Sequence, residues 1–332
     1  MGLNEKFFKT VSAPVQSDYF EPLLFTGNGS ARSIAGLNFS PALVSIKPRS
    51  NADGWFTFDT LRGVQNAVQF NSTTDQFNRT SLTAFNSDGF NLGNYAGTNS
   101  NNYTYLALCW SAPTSQTNSA GSNGASIAST IRKNVDNGFS IVSYTGNSAS
   151  SATIGHGLSS APELVIIKAI NLAAGWPTLA ALSGSIAFTG RLNEANATNS
   201  GLGSVFFNST APTSSVFSVG NSDEVNDNYN YIAYCFHSVS GVQKVGSYTG
   251  TGNSQSITTG FEPAFVMLRS YNNSDNWVVI DNKRGVDKRL YADLSNAEST
   301  LANKITFDSN GFTLTTSAYN ASGFNFIYLA IA

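Results

Sequence analysis

A proline followed by a short hydrophobic run occurs three times in this chain, as SPALVSIK around Pro41, APELVIIK around Pro162 and EPAFVMLR around Pro263. In every copy a cation stands six residues after the proline (Lys47, Lys168, Arg269) and a tryptophan fourteen residues after it (Trp55, Trp176, Trp277). A glycine turn precedes each proline: FTGNG from Phe25, SYTGN from Ser143 and SYTGTGN from Ser247. An aromatic-rich segment closes each copy: YLALCW from Tyr105, YIAYCF from Tyr231 and YLAIA from Tyr328. The period is roughly 100–120 residues, which is the size of a domain rather than of a short solenoid repeat. The chain therefore reads as an N-terminal arm (1–20), three β-sandwich copies (21–112, 137–239 and 240–332), and a linker (113–136) between the first two. Within that linker Ile127 and Ile131 supply an apolar pair with which it can dock.

The apolar runs Leu43–Ile46, Leu164–Ile167 and Phe265–Leu268 are continuous rather than alternating, the pattern of strands covered on both faces. SDGF at Ser87–Phe90 and SNGF at Ser309–Phe312 carry dipeptides suited to the positive φ of a tight hairpin turn; the second copy has VFSVG from Val216 instead. Charged residues are only 11% of the 332 residues and Gly numbers 29, a composition that favours strands and polar turns over long helices. The expected fold class is all-β, in tandem antiparallel sandwiches of the jelly-roll or lectin-like kind.

Eighteen basic and twenty acidic residues leave a net charge of −2, with no basic footprint for a phosphate backbone, so nucleic acid is not an expected partner. Two His and two Cys are too few for a Cys/His zinc cluster or a disulfide framework, and no calcium loop is present; no cofactor is expected. No membrane-length apolar stretch and no leader pattern occur, so the chain is expected to be made in the cytoplasm without membrane insertion.

Repetition tests chemistry internally, because a group required in every copy should recur. Asp59 and Arg62 in DTLRG recur as Asp281 and Arg284 in DNKRG, but Ala180 and Ser183 stand in the second copy. Such a pair can bind a carboxylate or a sugar, and its plainer reading is a loop-holding ion pair. Cys109 and Cys235 occupy one position of the closing segment, where the third copy is expected to carry Ala332; they read as inert core thiols despite His237 two residues beyond Cys235. His156, in IGHGL, reads as a solvent-facing or turn histidine. The three tryptophans offer ring faces for sugar stacking or recur because a core recurs. The polar loops beside them, including Tyr271 and Asn272, are the natural recognition surfaces.

The strings SYTGN, PELVIIK, VFSVG and YIAYCF, then SYTGTG, GFEPAFVMLRS and NWVVIDNKRG, and in the first copy FSPALVSIK and FDTLRG, resemble a repeated domain of unknown function found in bacteriophage tail and virion proteins, especially of marine phages. The resemblance implies a virion-surface component with lectin-like sandwiches and no assigned catalytic residues. The expected function is accordingly non-enzymatic: a small fibre, a tail component or a capsid-surface decoration protein, with a glycan-binding adhesin module of a tail fibre as the alternative. Expected partners are other virion proteins, further copies of the chain (a trimer among the options) and a host surface glycan. Phe7, Phe8, Tyr19 and Phe20 are the candidates for docking the arm onto the particle.

Overall fold

The computed structural model describes residues 17–198 and 200–332. The first copy contains β1 (Phe20–Thr26), β2 (Arg32–Ala35), β3 (Leu43–Pro48), β4 (Phe56–Asp59), β5 (Asn66–Gln69), β6 (Phe77–Asn78), β7 (Leu82–Asn86), β8 (Gly89–Leu92), the single turn α1 (Ala96–Asn99) and β9 (Thr104–Trp110). The second contains β10 (Thr114–Asn118), β11 (Ser129–Asn134), β12 (Phe139–Thr145), β13 (Ala152–Gly155), β14 (Leu164–Ala169), β15 (Pro177–Leu182), β16 (Ser185–Arg191), α2 (Ser200–Phe207), β17 (Val216–Val219) and β18 (Asn230–Phe236). The third contains β19 (Gln243–Thr249), β20 (Gln255–Thr258), β21 (Phe265–Ser270), β22 (Val278–Asp281), β23 (Lys288–Tyr291), β24 (Ser299–Thr300), β25 (Ile305–Asp308), β26 (Gly311–Leu314) and β27 (Asn325–Ile331). The chain is all-β with antiparallel sheets. Among the described residues no helix is long and apolar enough to cross a membrane.

Three large sheets share one strand order. It runs β1-β9-β3-β4-β5-β6 in the first, β12-β18-β14-β15-β16 in the second and β19-β27-β21-β22-β23-β24 in the third. Smaller sheets, β2-β8-β7, β13-β17 and β20-β26-β25, accompany them. In the second copy α2 stands where the others have a third small-sheet strand, and it buries Phe206 and Phe207 in that copy's own core.

The continuous apolar runs are explained by two cores. Side chains alternate across a strand, so Val44 and Ile46 enter a core private to the first copy, Val165 and Ile167 one private to the second, and Val266 and Leu268 one private to the third. The intervening positions face a single core common to all three. That core joins Leu43, Leu164 and Phe265, the three tryptophans, then Leu108, Tyr234 and Leu329, and finally Trp110, Phe236 and Ile331. The copies are thus packed around one centre, where a cavity of about 40 Å³ is lined by apolar and aromatic side chains, among them Leu43, Leu108, Ile166 and Phe265, and is expected to be dry.

Several sequence expectations change. The stretch 113–136 docks through its apolar pair rather than running free: β10 and β11 extend the second large sheet beyond β12, Ile131 is fully buried and Ile127 nearly so. Phe20 opens β1, pairs with Trp110 and is buried, and Tyr19 packs on the common core, so neither is a free docking group; Phe7 and Phe8 lie outside the described residues. In the third closing strand Ile331 pairs with Phe265 as Trp110 does with Leu43 and Phe236 with Leu164. Ala330, not Ala332, therefore matches Cys109 and Cys235. The shift of two residues preserves the face, which is why the apolar pattern alone did not reveal it.

The hairpins at Ser87–Phe90 and Ser309–Phe312 form, but their glycines follow the two-residue loops at the first paired position, opposite Asn86 and Asp308. Glycine is required there by close approach: a Cβ on Gly89 would lie 1.9 Å from the Ile34 carbonyl oxygen, and one on Gly311 2.0 Å from that of Ile257. Gly323 has φ +77° with open space around it. Gly311→Ala should therefore cost about 3 kcal/mol or more, and Gly323→Ala only about 1 kcal/mol, as read by urea denaturation; equal losses would show that the strand contact at Gly311 is not what demands glycine.

Candidate functional site

The repeated cations lie on the common-core face of β3, β14 and β21, in phase with Leu43, Leu164 and Phe265, and are fully buried. Each reaches into a neighbouring copy. Lys47 Nζ donates to the carbonyl of Asp53 in its own loop (2.7 Å) and to that of Ser295 in the third copy (3.0 Å). Lys168 Nζ donates to Ala174 (2.6 Å) and, in the first copy, to Thr73 (3.1 Å). Arg269 spreads its guanidinium over the carbonyls of Glu194, Ala195 and Asn196 of the second copy, at 2.9, 3.1 and 2.6 Å. The direction is cyclic: first onto third, second onto first, third onto second. Burial lowers the pKa of both lysines to about 8 and that of Arg269 to about 10, with nearby carboxylates opposing the shift.

The tryptophans follow the same cycle. Trp55 Nε1 donates to Tyr291 O (2.7 Å), and Trp176 Nε1 donates to Gln69 O (2.9 Å) and Ser72 O (3.1 Å). Trp277 packs edge-on against Phe188 of the second copy, and its indole N–H is buried without a partner. All three are at most 1% exposed, so none presents a ring face to a sugar, and of their two readings the stacking one gives way to the core one. Main-chain bonds complete each junction: Gln76 N–H to Ile170 O, Thr198 N–H to Tyr271 O and Glu298 N–H to Arg49 O, at 2.9, 2.7 and 2.8 Å.

The remaining landmarks are absorbed in the same way. Asp59–Arg62 and Asp281–Arg284 are buried i,i+3 ion pairs at 2.6 and 2.5 Å. Tyr234 of the second copy donates its hydroxyl to Asp59 at 2.9 Å, and Arg49 makes a bidentate pair with Glu298 across the first and third copies. Pro41, Pro162 and Pro263 stand just before the central strands and remove a donor at that entry. Asn272 accepts from the Asn325 N–H and Asn171 from the Asn230 N–H, while Ser50 accepts from the Thr104 N–H, so each fastens the start of its copy's closing strand. Tyr271 packs on the common core. Tyr271 is therefore drawn into the framework, while Asn272, with its Oδ1 engaged, stays exposed at the surface.

Burial raises both thiols, Cys235 to about 12, which makes them poor nucleophiles. His237 lies past the end of β18 and bonds its own chain at Ser238 O, with Ser159 Oγ at 3.5 Å. His156 is fully buried rather than solvent-facing: Nε2 donates to Thr213 O, Nδ1 accepts the Leu158 N–H, and burial lowers its pKa to about 4. Among the described residues no group of three or more His, Cys, Asp and Glu is placed to hold a metal ion.

Sequence reading missed a third side chain of the set, the one that accepts each tryptophan's backbone N–H: Asn71, Asn193 and Asp293, at 2.9, 2.8 and 3.1 Å. Their recurrence 16–17 residues after the tryptophan was the available signal. Asp293 is the charged exception, and burial raises its pKa to about 6 against the pull of two backbone N–H groups and Arg269. An unfolded Asp loses its proton near 3.8, so this group's contribution is complete below that pH and is lost as pH rises through about 6. His156 acts oppositely, contributing fully above 6.5 and losing that contribution as pH falls toward about 4. Each is worth about 3 kcal/mol. Asp293→Asn, which restores the amide of the other copies, should therefore leave stability rising from pH 4 to pH 6, where the parent is nearly flat. Parallel urea midpoints for the two proteins would show that Asp293 is not protonated in the fold.

No curated protein matches the sequence. A family model described as Domain of unknown function (DUF7483) matches residues 15–332; that span takes in all three large sheets, the core they share and every junction described above, and the chain belongs to that family.

Proposed function

We propose that this chain is a non-enzymatic structural component of a bacteriophage virion, a small fibre, tail component or capsid-surface decoration protein, built from three lectin-like β-sandwiches and displayed on the outside of the particle. The observation that carries the reading is the use to which the recurring charged and aromatic residues are put. Lys47, Lys168 and Arg269, the three tryptophans and the Asp59–Arg62 pair, through Tyr234, are buried and hold one copy to the next, while Asp281–Arg284 is buried within the third copy. Groups that could have carried chemistry are thereby committed to rigidity, the property a particle component needs. The sequence likeness to virion repeats supports the same reading. A body closed cyclically from three copies also suits a site of threefold symmetry, so its partners are other virion proteins and further copies of itself, with assembly in the host cytoplasm before display.

The glycan-binding alternative loses the tryptophans as its site and has to be carried by surface features instead. Immunogold labelling of intact, purified particles with antibody against this chain should decorate their exterior. Absence of the chain from washed particles by mass spectrometry would overturn the structural role.

A further inference from the structure

The recurring residues build the framework, so recognition is to be sought where one copy departs from the other two. Among the described residues the largest departure is the hairpin β10–β11, which the second large sheet has and the others lack. Gln116 and Asn118 on β10 and Ser129, Ile131 and Lys133 on β11 share one face, by their pairing across the hairpin. That face looks onto the Gly155–His156–Gly157 turn: Ser129 Oγ donates to Gly155 O, and a Cβ on Gly157 would lie 3.2 Å from the Lys133 side chain. Between the hairpin, this turn and the loop before β17 lies a surface pocket of about 220 Å³ lined by Gln116, Asn118, Asn123, Lys133, Ser214 and Ser215. It is of monosaccharide rather than drug size.

We propose that this pocket binds a small hydroxylated carboxylate, specifically a hexuronate. Lys133 Nζ donates to Gln116 Oε1, and Gln116 Nε2 in turn donates to Asn118 Oδ1. A lysine ammonium has three protons and each amide two, so the relay leaves donors free to meet a carboxylate, while the serine hydroxyls and Asn123 serve sugar hydroxyls. The lining contains a cation and no carboxylate. Three other surface pockets differ on that point. One of about 320 Å³ contains Glu163, and one of about 450 Å³ sets Asp18, Glu21 and Glu262 against Lys283. A groove of about 210 Å³ carries hydroxyls but no cation.

The walls are also fixed before any ligand arrives. His156 is held at both ring nitrogens under the turn. The Ser126 N–H and hydroxyl bond to Thr153, and Ile127 bridges to Ile154, so the hairpin's loop is tied to β13. Such preorganisation lowers the ordering cost of binding. Binding at this pocket does not depend on where on a particle the chain resides.

The test is isothermal titration of the full chain with glucuronate, glucose and inorganic phosphate, with mapping of amide shifts in the unsubstituted protein. Glucuronate should saturate in the millimolar range, shift amides around Lys133 and Ser214, and bind roughly tenfold or more tightly than glucose. Lys133→Met should weaken it by a similar factor. Ser214→Trp, at an exposed position, should abolish binding by filling the pocket without touching the core. No saturable binding, equal affinity for glucose, shifts located elsewhere, binding unchanged in folded Lys133→Met or Ser214→Trp, or phosphate as tight as glucuronate would each overturn the proposal.

Discussion

Everything in this fold depends on carrying three cations into an apolar centre without leaving them unsatisfied. A buried ammonium or guanidinium is tolerable only when its protons are taken up. Here the acceptors are main-chain carbonyls, partly supplied by the next copy: Ser295 for Lys47, Thr73 for Lys168, and Glu194 to Asn196 for Arg269. Separating two copies would strand both the cation and the carbonyls that meet it. The junctions are therefore held by the cost of opening them as much as by contact area, and the cyclic order gives every copy one neighbour that it enters and one that enters it.

Around that ring the apolar side chains do the ordinary work of a core. Each central strand serves two of them, one private and one common, so neither face of β3, β14 or β21 reaches solvent. A sandwich removed from its neighbours would expose the Trp, the central leucine or phenylalanine, and the closing-strand residues on one broad face, a patch that monomeric surfaces rarely carry. The three copies are distinct in sequence but physically one body.

Much of this was legible in the residues. The proline–cation–tryptophan spacing identified the copies, and the uninterrupted apolar runs announced strands covered on both sides, because only a second core makes alternation unnecessary. What escaped was whatever depends on the partner a residue meets only in the folded chain, in its own copy or in the next. Trp55, Trp176 and Trp277 looked equally suited to a sugar platform or a core, since the sequence does not say that Tyr291 and Gln69 cover two of the indole edges. His156 looked like a loop residue because its partners, Thr213 O and the Leu158 N–H, are main-chain groups invisible to composition. The stretch 113–136 looked like a connection because β10 is polar throughout and β11 carries a single apolar residue, Ile131. The pocket they help to build had no repeated signal to mark it.

The central claim is that the copies share one core and cannot melt separately. Differential scanning calorimetry of the full chain measures this directly, by comparing the calorimetric enthalpy with the van't Hoff enthalpy. The shared core predicts one transition in which the two agree, and a Lys168→Met substitution that moves the whole transition downward. Three resolved transitions, or a substitution at Lys168 that shifts only part of the heat absorbed, would contradict it.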